Sequence, residues 1–237
     1  MASILRQPVV WFGEHVNIAL LLLIVITGGA LAFITIADEV VNQKTQTFDT
    51  AMLRSLRSAD NPSIPVGPPW LEEVASDVTA LGGVTVLTLV TCTVVCYLLI
   101  VKKYHAMWLV LAASVGGGAL GTALKELFHR ARPDVVPHLA HVSSASFPSG
   151  HSMLSSAIYL TLGALLARLV PKARAKIYCL AVALALTLCI GASRVYLGVH
   201  YPTDVLAGWM AGGVWALICW LCARHLQRQG AVERDIE

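Results

Sequence analysis

Six stretches of about 20 mostly apolar residues decide what this chain can become. They run Val16 to Ala37, Ala80 to Ile100, Ala106 to Leu124, Ser149 to Leu169, Ile177 to Val199 and Val205 to Ala223. A helix of about that length crosses the hydrocarbon of a bilayer, where each backbone N–H and C=O must be satisfied within the segment. Only 13% of the 237 residues are charged, against about a quarter in a soluble domain. The expected fold is therefore all-α: one membrane-embedded domain over residues 1–237, a polytopic bundle of six transmembrane helices plus a short interfacial helix. The third stretch carries "SVGGGALG", small residues that let helices approach closely in lipid. The fourth begins polar, at Ser149, His151 and Ser152, and turns apolar later.

The first apolar run continues past the "ALA" at 30–32 and is too long for a signal peptide's core, so it reads as a retained helix. The six cysteines (Cys92, Cys96, Cys179, Cys189, Cys219 and Cys222) all fall in apolar runs. That argues for a structural role rather than a disulfide framework. Ten of the 17 Lys and Arg residues fall on one side of the bundle and seven on the other. The positive-inside rule then puts both termini in the cytoplasm, and short loops and compact spans suggest a bacterial inner membrane. The long external segment from Asp38 to Thr79 contains "TFDTAMLRSLRS", whose apolar Phe48, Ala51, Met52 and Leu56 form a stripe that should pack on the bundle. "NPSIPVGPPW" breaks that helix, and Trp70 is expected to anchor at the membrane surface.

With this topology the unusual polar residues gather at the external face. "KELFHRARP" follows the third span, "SFPSGHS" opens the fourth, and "SRVYLGVHYPTD" joins the fifth to the sixth. Lys125, Arg132 and Arg194 lack enough carboxylates to pair with and suit a phosphate. Lys125 and Arg132 are seven apart and share a face if the helix persists to Pro133. Pro148 can start the fourth helix, and Gly150 lets an anion approach its N–H groups. His151 and His200 can attack phosphorus or protonate a leaving oxygen. Asp204, four residues after His200, can hold the far nitrogen of that ring. Pro202 is expected to start the sixth helix.

These residues fit K-x6-RP (Lys125, Arg132, Pro133), PSGH (148–151) and SR-x5-H-x3-D (Ser193, Arg194, His200, Asp204). In motif order and spacing the chain resembles the type 2 phosphatidic acid phosphatase superfamily, in its six-helix membrane branch. The resemblance implies that His200 is the nucleophile, forming a phosphohistidine, and that Asp204 orients it. His151 would protonate the departing lipid oxygen and later help activate water. Lys125, Arg132 and Arg194 would neutralise the equatorial oxygens, with hydrogen bonds from Ser149 and the Gly150 N–H. Ser193 would stand behind them. No cofactor or metal is expected, because the sequence offers no carboxylate cluster to hold one.

The remaining histidines carry no motif position. His129, His138 and His141 read as solvated loop residues, and His15, His105 and His225 as interfacial ones. Arg130 and Asp134 suit a salt bridge or a rim role, and Asp77 either approaches the site or serves a helix N-terminus. The expected function is a lipid phosphate phosphatase acting on phosphatidic acid, phosphatidylglycerol phosphate or undecaprenyl pyrophosphate. The alternatives are a lipid phosphotransferase using the same intermediate and, from another class, an anion transporter. The expected partners are the lipid substrate and membrane lipids, with no nucleic acid and no obligate protein partner.

Overall fold

The computed structural model describes residues 6–140 and 144–228, with side chains described within 20–226. The elements are α1 (Arg6–Val41), α2 (Gln46–Ser55), α3 (Pro69–Ala80), α4 (Val84–Ile100), α5 (Tyr104–Leu111), a π-helical turn (Ala112–Gly116), α6 (Gly117–Phe128), α7 (Gly150–Leu169), α8 (Ala173–Tyr196) and α9 (Pro202–Arg228). Among the described residues, five helical segments are long and apolar enough to cross a membrane: Leu20–Val41 of α1, the continuous Tyr104–Phe128 segment, α7, α8 and most of α9. The pair α3 and α4, bent by 45°, makes a sixth if it counts as one span. Expected and observed spans agree within a few residues, except at this bend. There the chain is already helical from Pro69, whose missing N–H suits a helix start. Asp77 is exposed near the end of α3, which removes its proposed helix N-terminal role.

Helix α7 is the centre of the bundle, packed most extensively on α8 and α9, while α1 lies on α9 and α3 on α8. Small residues make those approaches possible. A Cβ on Gly163 of α7 would lie 2.6 Å from Ala183 of α8, and one on Gly208 of α9 would lie 2.7 Å from the Ser149 carbonyl. The glycines of "SVGGGALG" behave as expected, Gly116 and Gly117 receiving the Trp215 ring. The π turn beside them leaves the Ala112 carbonyl able to accept from Trp215 Nε1 at 3.1 Å. At Gly212 an added Cβ would press on the Met153 carbonyl, which is backbone and cannot swing aside. Gly212→Ala is therefore expected to cost about 1–3 kcal/mol and to lower the melting temperature in detergent. Gly28→Ala, with nothing within 4 Å of its Cβ, should leave it unchanged.

Helix α2 forms where expected but turns the other way. Phe48 and Met52 are exposed, while Asp49 and Leu53 are fully buried. The apolar stripe faces outward because Asp49 finds the half-buried Arg130 and the Thr203 hydroxyl inside. An outward apolar face at a membrane surface is not a penalty, so the polar contacts decide. The cysteines are free, with Cys219 buried and Cys179 partly so, consistent with packing or lipid-facing roles. An apolar groove of about 930 Å³ lies between α1, α7, α8 and α9, with Arg168 and Lys176 among its lining residues.

Candidate active site

Three chain segments meet at one end of the bundle: the exit of α6, the entry of α7 and the α8–α9 connection. Helix α6 stops at Phe128, where His129 takes a left-handed conformation (φ 46°) and its N–H returns to the Lys125 carbonyl at 3.0 Å. Lys125 and Arg132 therefore do not share the helical face that their seven-residue spacing leads one to expect, because the helix ends before Pro133. Arg132 arrives from extended chain, as a segment leading into proline favours. Its Nε donates to the Ser144 carbonyl at 2.7 Å, and Nη1 donates to the Val199 carbonyl at 2.7 Å. Lys125 donates to the Ala145 carbonyl and lies 3.5 Å from Ser144 Oγ.

Contrary to expectation, Pro148 does not start α7 but precedes its cap, Ser149, whose Oγ accepts from Ser152 N at 3.5 Å and from Ser152 Oγ at 3.1 Å. The hydroxyl hydrogen stays free to donate. Gly150 is the first helical residue, and a Cβ there would touch Lys125 Cε at 3.5 Å, so its small size keeps the helix start open beside that amine. His151 follows and lies within electrostatic reach of Arg194, His200, Arg132 and Lys125. Helix α8 ends at Tyr196, and Gly198 (φ 74°) turns the chain back; a Cβ there would sit 2.6 Å from Arg57 Nη2. The turn brings His200 in, 1% exposed, just ahead of α9, which starts at Pro202 as expected.

Asp204 uses both carboxylate oxygens. Oδ1 accepts from Arg130 Nη1 at 2.6 Å; Oδ2 accepts from Ser146 Oγ at 2.5 Å and from Tyr201 N at 2.9 Å, and lies 3.5 Å from His200 Nδ1. His200 Nδ1 also lies 3.3 Å from Ser146 Oγ. With Nδ1–H held there, Nε2 keeps its lone pair and faces Arg132 Nη1 at 3.3 Å. Burial, reinforced by Arg132 and Arg194 and only partly opposed by Asp204, lowers the His200 pKa to about 4. The imidazole is neutral at pH 7.

Arg194 is 4% exposed; its Nη1 donates to Thr79 Oγ1 at 3.1 Å, and its buried Nε has no hydrogen-bond partner. Among the described residues, Lys125, Arg132 and Arg194 form no ion pair with a carboxylate, whereas Arg130 takes both Asp204 and Asp49. Three cations are thus left to an outside anion. Ser193 turns its hydroxyl back to the Ile190 carbonyl at 2.7 Å, away from them. No group of three or more His, Cys, Asp or Glu residues among those described could hold a metal ion.

The other histidines stand apart. His129 pairs with Glu126 at 3.4 Å in an exposed position, and exposed His138 contacts the Pro133 carbonyl at 2.6 Å. His105 and His225 belong to the opposite end of the bundle, while His141 and the side chain of His15 lie outside the described residues. Sequence reasoning missed Asp49, Thr79, Ser146 and Thr203; it gave Arg130 a salt bridge or a rim role, and the salt bridges are present, to Asp49 and Asp204. A signal existed only for Ser146, two residues before the PSGH motif.

A lipid-facing helical bundle that presents unpaired cations around a neutral imidazole has the equipment of a membrane phosphatase. A family model described as the PAP2 superfamily matches residues 105–228. Phosphatidylglycerophosphatase B of Bacillus subtilis is 33% identical over 77% of this chain and 86% of that protein. The lipid A 1-phosphatase of Rhizobium etli is 36% identical over 44% of each chain. Among solved structures, the transmembrane PAP2-type phosphatidylglycerolphosphate phosphatase from Bacillus subtilis superposes with a TM-score of 0.78 at 29% identity, over 86% of this chain and 98% of that one. Aquifex aeolicus LpxE superposes with a TM-score of 0.53 at 26% identity, over 66% of this chain and 88% of its own. This chain belongs to the PAP2 superfamily and is a membrane phosphatase.

Proposed function

We propose that the protein hydrolyses a lipid phosphate, or the terminal phosphate of a lipid pyrophosphate, through a phosphohistidine on His200 at the external membrane face. The observation that carries this reading is the pose of His200: Nδ1 held by Asp204 and Ser146, and the Nε2 lone pair turned to Arg132 Nη1, a contact that a phosphoryl group would replace. In the first step Nε2 bonds to phosphorus as the P–O bond to the lipid breaks, and His151 gives that oxygen its proton. In the second, water attacks the phosphohistidine, His151 takes the water's proton, and phosphate leaves. Lys125, Arg132 and Arg194 stabilise the equatorial oxygens with the Gly150 N–H and the Ser149 hydroxyl; one well-placed donor of this kind is worth about 3 kcal/mol. Lys125 and Arg132 must exchange contacts with the Ser144 and Ala145 carbonyls for phosphate oxygens.

The long match to a phosphatidylglycerophosphatase puts phosphatidylglycerol phosphate first among substrates, ahead of phosphatidic acid and undecaprenyl pyrophosphate. The gathering of unpaired cations at one end supports hydrolysis over anion transport, and the Lys and Arg distribution supports cytoplasmic termini in a bacterial inner membrane. The test is phosphate release by the purified protein from these three lipids, with His200→Ala as control. Phosphate released by the native protein and not by the variant supports the reading; a phosphorylated lipid acceptor in place of free phosphate would move it to phosphotransfer.

The acid limb of kcat/KM supplies a second check. A lowered His200 pKa leaves the nucleophile unprotonated to lower pH, not higher. After correction for the substrate's own ionisation near pH ~6, kcat/KM is expected to hold down to about pH 5 and to fall only near 4. A limb at the ordinary histidine value of about 6.5 would contradict this.

A further inference from the structure

The chemistry proposed above leaves two paired charged groups without a task, the buried Asp49 and the half-buried Arg130. Asp49 comes from α2, outside all three motifs, and is 0% exposed. Its Oδ2 accepts from Arg130 Nη2 at 2.8 Å and from Thr203 Oγ1 at 2.6 Å, and its Oδ1 accepts from Thr203 N at 3.1 Å. The other arm of the same guanidinium, Nη1, reaches Asp204 Oδ1 at 2.6 Å and Thr203 Oγ1 at 2.9 Å. The guanidinium stacks over the Tyr201 ring with its carbon 4.2 Å from the centroid, so the fork cannot pivot freely. One guanidinium thus stands between two buried carboxylates, one of which orients His200.

We infer that Arg130 and Asp49 are positioning residues for phosphoryl transfer: Asp49 holds Arg130, and Arg130 clamps one oxygen of Asp204 so that the other faces His200 Nδ1. This rests on the His200 reading above. Two consequences follow from the charges. Without Arg130, Asp49 and Asp204 are two buried like charges, and one must take a proton or move. Without Asp49, more of the Arg130 charge falls on Asp204. The other charged groups around the His200–Asp204 pair are Lys125 and Arg132 from the α6 side, His151 from α7 and Arg194 from α8.

The experiment compares Arg130→Gln, Asp49→Asn and the double variant in the full-length protein, reading kcat, KM, the acid limb of kcat/KM and thermal midpoint. Arg130→Gln is expected to lower kcat about 10- to 100-fold, as loss of an orienting outer contact does, with little change in KM. Its acid limb should move to higher pH, because an unclamped Asp204 leaves His200 easier to protonate. Adding Asp49→Asn should restore kcat several-fold over Arg130→Gln alone, since the repulsion is gone. Variants that lose only thermal midpoint while keeping native kcat and acid limb, or a double variant no better than Arg130→Gln, would overturn the inference.

Should Arg130→Gln not fold, Thr203→Val removes one hydroxyl that touches both Asp49 and Arg130; it is expected to lower kcat several-fold, and native kcat would overturn the inference. Turnover retained by His200→Ala would instead overturn the phosphohistidine reading beneath it.

Discussion

Replacing His200 with alanine is expected to lower kcat by at least ~100-fold and to abolish any trapped phosphoenzyme. The expectation is large because nothing adjacent can take over. The two neighbouring acceptors are Asp204 and Ser146, and both are committed to holding one another and the ring. The cations that would stabilise the phosphoryl group remain, so substrate should still bind while the bond-making atom is gone. The signature is therefore a kcat effect with KM largely kept. The check is steady-state turnover together with rapid-quench labelling by a phosphate-labelled lipid. An acid-labile label should form in the native protein and vanish in the variant. Turnover near the native level, or a label that survives the substitution, would transfer the nucleophile's role elsewhere.

Replacing His151 with alanine is expected to cost at least ~100-fold on a lipid phosphate, but the cost should depend on the leaving group. A lipid alcohol departs poorly without a proton, whereas a nitrophenol departs well as its anion. The His151→Ala deficit should shrink markedly with nitrophenyl phosphate, provided that formation of the phosphohistidine limits the rate. His200→Ala should show no such relief, since both substrates need the nucleophile. Equal losses on the two substrates would argue that His151 only shapes the pocket. The residue sits one position into α7, beside Gly82 at the α3–α4 bend, where an added Cβ would lie 3.4 Å from its Cδ2. Bulk at Gly82 is thus a poor substitute test, because it would disturb the ring that the experiment asks about.

Much of the site was legible because its residues are chemically conspicuous where they stand. Lys125, His151, Arg194, His200 and Asp204 are polar groups at the ends of apolar runs, and a charge in such a place demands a partner or a task. The four-residue step from His200 to Asp204 could be read as a contact because Pro202 starts a helix between them, and that contact is present at 3.5 Å. What could not be read is equally specific. The seven-residue step from Lys125 to Arg132 looked helical, but the left-handed turn at His129 ends the helix after Phe128. The stripe on α2 suggested Phe48 and Met52 inside, but Asp49 is buried instead, because its partners Arg130 and Thr203 lie about 80 and 154 residues further along the chain. Periodicity has no access to a partner that distant.

Hydrophobic run length and local chemistry alone made this a helical membrane protein of five or six candidate spans with cations and imidazoles gathered at one end, since both act through neighbours along the chain. The inward face of α2, the bend between α3 and α4, and the Asp49–Arg130–Asp204 clamp were decided only in three dimensions. Buried charges must find one another wherever the packed helices bring them, and that requirement outweighs the preference of any single segment.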